Sequence, residues 1–205
     1  TDLEGIYDFQ HAGGSFDVHL RSNGRFFAPK FQAKASWELR EEGTQKKLFI
    51  DWAKFGKYEL LVDLTTKSGT GSAVGKPESW RKMAFKRAFS AAELALFDSE
   101  WSFIHPSACL SPSRSSGGNF KVEFRADAFN HFVCADFPAH SHWRIEDDSP
   151  TPTVFINFGK YGEYVVKLSE DGSSFEGSAK GDPSNWRKGT RLGACNTAAV
   201  HEHDH

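Results

Sequence analysis

Residues 71–82 read GSAVGKPESWRK, and residues 177–188 read GSAKGDPSNWRK, which is nearly the same sequence 106 positions later. The match extends without a gap from 37–82 to 143–188, and 15 of the 46 paired positions are identical. An ungapped match of this length indicates an internal duplication. We therefore expect two copies of one structural unit.

Each copy has the alternation of apolar and polar residues that is typical of half-buried strands. Leu48, Ile50 and Trp52 fall on one face of such a strand. Asn23-Gly24 predicts a hairpin, because both positions of the tight turn favour positive φ. About eight short strands per copy, joined by hairpin-length loops, predict an all-β protein. The expected architecture is two tandem small antiparallel meander β-barrels or rolls.

The units are expected to be joined by a short helix. Ser90 and Glu93 form a capping-box signature in front of an apolar run. The predicted domains are a first barrel over 1–89, a helical linker over 90–98, a second barrel over 99–193 and a His-rich tail over 194–205. With 19 Phe and 6 Trp, each interior is expected to be filled or to have a shallow pocket at its mouth.

The amino-acid composition limits the classes of protein to which this chain can belong. The chain has 39% hydrophobic and 25% charged residues, as soluble globular proteins do. It has no apolar run of about 18 residues, so no membrane span is predicted. No signal sequence is visible, and a start at Thr1 rather than Met is typical of a processed or trimmed form, so the sequence indicates no compartment.

Charge is divided unequally along the chain. The formal net charge of −2 is the sum of +4 over 1–89 and −6 over 90–205. These opposite net charges favour docking between the two halves or between copies of the chain. The alternative is two unrelated solvated surfaces, which give the same net charges. The acidic second half argues against nucleic acid as a partner, although the first half combines aromatic and basic residues.

All three cysteines lie in the second half, at Cys109, Cys134 and Cys195. They allow at most one internal disulfide. Because the first unit has no cysteine, the fold does not need a bridge, and we expect reduced, buried thiols.

Short motifs at the ends of the first unit resemble the calycin scheme of lipocalins and avidins. Residues 5–7 read GIY and residues 80–81 read WR. In that family a Gly-x-Trp opens the barrel, and an Arg from a late strand packs across the Trp ring. Here Tyr7 replaces the Trp, whereas 99–101 (SEW) keeps Trp101 but lacks the Gly. The resemblance implies a barrel that binds a small apolar molecule; the repeat itself matches no family that we can name.

The duplicated stretch also supplies the candidate binding residues. In a structural interpretation, its Gly and Pro shape turns, its Trp fills the core and its Arg stacks on a ring. In a functional interpretation, the Trp is partly exposed and the neighbouring Arg-Lys pair binds an anionic or sugar-like group. The candidate ligand-binding residues are Lys54, Tyr58, Trp80, Arg81 and Lys82, and their partners Lys160, Tyr164, Trp186, Arg187 and Lys188.

Histidines provide the candidate metal ligands. The last five residues, HEHDH, fit H-E-x-x-H, but no third ligand follows and no core remains to bury such a helix. His201, His203 and His205 therefore indicate flexible metal capture, a solvated tail or a cloning remnant. His140 and His142 share one strand face, and two imidazoles without a third partner indicate a polar surface.

No motif for catalysis is present. The chain lacks G-x-S-x-G, a P-loop and a dinucleotide fingerprint. We therefore expect a non-catalytic binding protein without a cofactor, whose ligand is a small apolar or amphipathic molecule or a protein partner. A structural or accessory subunit of a larger assembly and a lectin-like carbohydrate-binding module are the alternatives.

Overall fold

The computed structural model describes residues 3–106 and 118–196. They form two units, which divide between Phe89 and Ser90. Each unit is an eight-stranded antiparallel sheet that curls into a nearly closed barrel. The predicted all-β class and the tandem arrangement are therefore confirmed. In the described ranges, no helix combines the length and the apolar character needed to cross a membrane.

The first barrel is a meander whose first and last strands pair. Its strands are β1 (Gly5–His11), β2 (Gly14–Leu20), β3 (Phe26–Phe27), β4 (Ser36–Glu42), β5 (Gln45–Asp51), β6 (Lys57–Asp63), β7 (Ser68–Ala73) and β8 (Lys76–Arg87). The spatial order is β3-β2-β1-β8-β7-β6-β5-β4, so a seam remains between β3 and β4. A single bridge between Arg25 and Ser36 spans this seam. The bond from the Phe26 amide to the Ala35 carbonyl (3.2 Å) supports it.

The second barrel repeats this topology. Its strands are β9 (Ser99–Ile104), β10 (Asn119–Phe124), β11 (Phe132–Val133), β12 (His142–Ile145), β13 (Thr153–Asn157), β14 (Glu163–Leu168), β15 (Ser174–Ala179) and β16 (Asp182–Ala194). β9 pairs with β16, and the seam lies between β11 and β12. Here the bridge joins His131 and His142, and the amide of Phe132 donates to the carbonyl of Ser141 at 3.0 Å.

Side chains fill both interiors. Leu48, Ile50 and Trp52 point into the first core, as their alternation predicts, and Tyr58 and Leu60 on the next strand join them. The second interior has the same aromatic character and is built from the corresponding strands. Alternate residues of a strand point to opposite faces, which is why one face of each strand enters the core.

The duplicated glycines allow close backbone approach between neighbouring strands. A Cβ atom built on Gly71 would lie 1.9 Å from the carbonyl oxygen of Glu59, and one on Gly177 would lie 2.0 Å from that of Val165. No side chain fits at such distances. The retention of this glycine in both copies is therefore explained by the strand pairing that it allows.

At one cross-strand pair, the strand that carries the large residue and the strand that carries the small one are reversed between the two barrels. Gly69 faces Met83 in the first barrel, whereas Phe175 faces Gly189 in the second. A Cβ on Gly189 would lie 2.2 Å from the Phe175 ring. Each barrel therefore places one large side chain at this level, supplied by opposite strands.

The predicted helix, α1 (Ala91–Leu96), is confirmed and packs on the second barrel. The Ser90 hydroxyl accepts from the Glu93 amide (3.1 Å), and the Glu93 carboxylate accepts from the Ser90 amide (2.9 Å). This is the expected capping box. Ala92 and Leu96 are fully buried in the second core, so the segment predicted as a linker belongs structurally to the second unit.

Two of the three cysteines lie in the described ranges. Cys134 is buried, Cys195 is partly buried, and both are free thiols, as expected. Burial raises the pKa of the Cys195 thiol to about 11, and the carboxylates of Glu123 and Asp98 add to the effect. Cys109 lies outside the described residues.

Candidate functional site

A tyrosine and an arginine are held against a 3-10 turn at one end of the second barrel. The turn Gly159–Tyr161 follows β13, and Gly162 at φ 105° ends it in a conformation that favours glycine. The Tyr164 hydroxyl donates to the Tyr161 carbonyl at 2.7 Å and accepts from Arg187 Nη2 at 3.0 Å. We call this arrangement the Arg–Tyr–turn motif.

The first barrel has the same motif. The turn is Ala53–Phe55. The Tyr58 hydroxyl donates to the Phe55 carbonyl at 2.6 Å and accepts from Arg81 Nη2 at 3.3 Å. The Arg81 guanidinium lies 4.8 Å from the centre of the Tyr58 ring, and the Arg187 guanidinium is 4.5 Å from its own tyrosine. The stacked arginine of the structural interpretation is therefore present in both units.

In the second barrel the motif borders an open cavity of about 210 Å³, which we call the mouth pocket. Its walls are mainly aromatic, with one guanidinium and one imidazole. The lining residues are Phe103, His105, Phe120, Phe137, Phe158, Tyr161, Tyr164 and Arg187. A shallow pocket at the mouth is one of the two interiors that the aromatic composition predicts.

A larger ring occupies the corresponding space in the first barrel. Trp52 stands where the second barrel has Phe158. Its ring packs against those of Phe16 (5.7 Å) and Phe26 (4.9 Å). Its Nε1 donates to the carbonyl of Phe31 at 3.1 Å. Phenylalanine is smaller and has no such donor, so Phe158 occupies less volume at this position than Trp52 does.

The mouth pocket has a positive electrostatic character. Arg187 is charged at all relevant pH values, and no Asp or Glu is among the lining residues. Burial lowers the pKa of His105, and the charge of Arg187 lowers it further. The histidine is therefore neutral near pH 7, and Arg187 supplies the charge.

The structure separates the ten candidate residues into three places. Tyr58 with Arg81, and Tyr164 with Arg187, form the motifs at the barrel mouths. Lys54 and Lys160 are exposed on the 3-10 turns, and Lys160 Nζ is 5.3 Å from the Tyr161 ring centre. The remaining four residues, Trp80, Lys82, Trp186 and Lys188, face outward.

The core position that the structural interpretation gives Trp80 is wrong, whereas the partial exposure of the functional interpretation is found. Ligand binding by the neighbouring Arg-Lys pair stays a prediction. Successive residues of a strand point to opposite faces. Arg81 consequently points towards Tyr58, whereas Trp80 is 39% exposed and has Lys82 Nζ 5.7 Å from its ring centre. The second barrel has the same pair, with Lys188 Nζ 5.4 Å from the Trp186 ring.

Most of the pocket lining was missed by sequence reasoning. Phe120 and Phe137 align with Phe16 and Phe31 of the first unit, and this pattern alone indicates only core. The informative signal was the change from Trp52 to Phe158, because a smaller ring at a duplicated core position indicates unfilled volume.

A third histidine joins His140 and His142 across the seam. The ring centres of His131 and His142 are 4.9 Å apart, and those of His140 and His142 are 5.0 Å apart. Asp127 Oδ2 lies 2.6 Å from His131 Nδ1. In the described ranges, however, no three His, Cys, Asp or Glu side chains are placed to hold a metal ion. The predicted metal ligands of the tail, His201, His203 and His205, lie outside those ranges.

The arginine of the calycin resemblance does not occupy its expected place. Arg81 stacks on Tyr58 rather than on Tyr7, whose ring packs edge-on against Phe85 at 5.4 Å. In the second barrel, Arg191 is the cross-strand partner of Trp101 and donates from Nε to the Ala95 carbonyl at 2.8 Å. The resemblance itself stays a prediction.

No protein-family model matches this chain, and no curated protein or solved structure matches it either. The chemistry of the site must therefore be inferred from its own residues. Aromatic walls bury apolar ligand surface, and a guanidinium offers charged hydrogen-bond donors to an acceptor.

Proposed function

We propose that the second barrel is a non-catalytic binding module that holds a small amphipathic molecule in its mouth pocket. The observation that carries the proposal is the pocket itself, which combines aromatic walls with a few polar groups. Ligand sites are commonly concave, largely apolar and equipped with a small number of orienting polar groups.

The size of the pocket limits the ligand. Drug-sized sites measure about 300–1,000 Å³, and an apolar cavity of about 150 Å³ holds one benzene molecule. A volume of about 210 Å³ therefore suits a single substituted ring or a short acyl chain. Its apolar part would contact Phe120, Phe137 and Phe158, and its polar end would lie near Arg187.

The test uses 3-phenylpropan-1-ol as a probe, titrated by ligand-observed NMR against the full chain. We expect saturable binding by the wild type. Phe158→Trp, which copies Trp52 of the first barrel, should reduce the affinity at least tenfold by filling the pocket. Phe155→Trp is the matched control, because Phe155 lies on the outer face with the Arg144 guanidinium 4.0 Å from its ring centre.

The outcomes separate clearly. Binding that Phe158→Trp removes and Phe155→Trp leaves intact supports the proposal. Absence of saturable binding by the wild type contradicts it, and so does equal binding by all three proteins. Thermal unfolding of each variant establishes that a lost signal is not a loss of fold.

A second candidate function is carbohydrate binding on the outer face of the first barrel. It is supported by the exposure of Trp80 beside Lys82, since a flat exposed ring with a polar neighbour can stack on a sugar. Titration with mono- and disaccharides should then quench tryptophan fluorescence in the wild type and not in Trp80→Ala. An unchanged spectrum in the wild type contradicts this candidate.

A further inference from the structure

Arg187 has hydrogen-bond donors that the protein leaves unused. Its Nη1 donates to the Asn185 side chain at 2.6 Å and to the Trp186 carbonyl at 2.9 Å. Its Nη2 donates to the Tyr164 hydroxyl at 3.0 Å. A guanidinium has five N–H groups, so two of them have no acceptor among the described residues. One of the two is on Nε, which is sealed from solvent, and the other is on Nη2.

The charge of Arg187 is also uncompensated. Within the described ranges, no carboxylate lies within ion-pair distance of its guanidinium. The lining of the mouth pocket adds no acidic group. A partly buried cation without a counter-ion is unfavourable, and an anion that enters the pocket would relieve this.

The Tyr164 hydroxyl has no proton left to donate to a ligand in the mouth pocket. Its hydroxyl proton is used in the 2.7 Å bond to the Tyr161 carbonyl, and its oxygen accepts from Arg187. The centre of the tyrosine ring lies 4.5 Å from the guanidinium carbon, so the ring packs against the group. The arginine is therefore positioned before any ligand arrives, which lowers the entropy lost on binding.

From these observations we infer that the mouth pocket selects an anionic ligand, a small aromatic or acyl carboxylate with an oxygen that accepts from the unused N–H group of Arg187 Nη2. The inference rests on the proposed function and specifies its ligand class. Carboxylates pair with guanidinium groups through short, charge-assisted hydrogen bonds. The apolar remainder of the ligand would pack against the aromatic walls.

The test compares two probes that differ only at the polar end, 3-phenylpropanoate and 3-phenylpropan-1-ol. Each is titrated into the full chain at pH 7 and low salt. The wild type should bind the carboxylate at least tenfold more tightly than the alcohol. In Arg187→Met that preference should fall to less than threefold through weaker binding of the carboxylate. Arg81→Met in the first barrel is the matched control and should leave both affinities unchanged.

Each result has one meaning. A carboxylate preference that Arg187→Met removes supports the inference. Equal binding of the two probes by the wild type overturns the inference and leaves the proposed binding function standing, as does a preference that survives in Arg187→Met. Failure of both probes to bind contradicts the proposed function, and the inference with it. The wild-type comparison alone decides the question if Arg187→Met does not fold.

Discussion

The two barrels have the same strand order, the same Arg–Tyr–turn motif and glycines at the same close approaches, yet their mouths differ. In the first barrel Trp52 is 4% exposed and fills the space between the aromatic rings. In the second, Phe158 stands at that position and a pocket of about 210 Å³ lies beside it. The glycines that allow close strand approach are thus retained in both copies, whereas the size of the aromatic ring at the mouth differs between them.

The Gly69–Met83 and Phe175–Gly189 pairs extend the comparison to the core. Both barrels keep one large residue at this level, but opposite strands supply it. Protein interiors tolerate substitutions best when the total volume is conserved. The copies therefore diverged by paired changes in the core and by an unpaired change at the mouth.

The largest expected effect comes from breaking one core pair. Phe175→Gly removes a fully enclosed ring and should cost the second barrel about 3–5 kcal/mol of stability. Gly189→Met alone should also destabilise, because its Cβ would meet the ring of Phe175 at 2.2 Å. The double variant copies the first barrel and should lose less than the sum of the two single changes.

Urea denaturation followed by thiol labelling of Cys134 measures this effect in the second barrel alone, because the first unit contains no cysteine. A background with Cys109→Ser and Cys195→Ser leaves one reporter. Strict additivity of the two changes would show that the pairs are not exchangeable, and the volume argument would then be wrong.

The next effect concerns the mouth. Trp52→Phe should cost the first barrel about 2 kcal/mol, through the void that it leaves and the lost hydrogen bond to Phe31. It should also create a second binding site for 3-phenylpropan-1-ol. Trp37→Phe is the matched control, since Trp37 Nε1 donates to the Arg21 carbonyl at 2.9 Å. Calorimetric stoichiometry should rise from one to two only in Trp52→Phe; a ratio of one would show that the ring does not determine the pocket.

Much of the fold could be predicted from local signals. The period-2 runs through Leu48 and Ile50 and the capping box at Ser90 depend on neighbouring residues, and both are found in the structure. The Asn23-Gly24 signal correctly predicts a hairpin between β2 and β3, but the connection spans residues 21–25 and only Gly24 of the two has positive φ. The internal repeat then gave the number of units, because one pattern had to apply twice.

The candidate site was less predictable, because it depends on which face of a strand each residue occupies and on long-range packing. Trp80 and Arg81 are adjacent in sequence and point to opposite faces. Tyr58 and Arg81 are 23 residues apart and form a hydrogen bond. No local sequence signal places His131 beside His142, because only their pairing across the seam brings the two residues together.

A smaller effect tests α1, the helix that precedes the strands of the second barrel. Ser90→Ala removes the hydroxyl that accepts from the Glu93 amide and should cost about 1 kcal/mol. Because Ala92 and Leu96 are buried in the second core, Cys134 labelling should detect the loss. Ser90→Asp retains a capping acceptor and should recover most of it. Equal stability of wild type and Ser90→Ala would show that α1 adds little to the second barrel.

The smallest expected effect distinguishes the barrels by pH. Asp127 and Asn23 lie three residues after the ends of β10 and β2, respectively. Asp127 accepts from the amides of Phe129 and His131, and Asn23 accepts from the amide of Arg25. Burial alone would raise the pKa of Asp127. The hydrogen bonds from the His131 side chain and amide and from the Phe129 amide outweigh burial and hold this pKa below its ordinary value of 3.8.

A carboxyl whose pKa is lowered by folding stabilises the native state above its ordinary pKa, and this contribution is lost as the pH falls through the lowered value. The second barrel should therefore lose part of its stability below about pH 4. Asp127→Asn, which copies the first barrel, should reduce that loss of stability and should change the stability little at pH 7, because the amide oxygen can still accept from the Phe129 amide.

The measurement is the urea concentration at the midpoint of unfolding of the second barrel, followed by labelling of Cys134. This midpoint is compared between pH 7 and pH 3. The exposed residues Asp171 and Asp182 also have lowered pKa values. Their contribution is the same in the wild type and in Asp127→Asn, so it cancels when the two proteins are compared. An identical pH difference in wild type and variant would mean that the Asp127 turn does not couple folding of the second barrel to protonation.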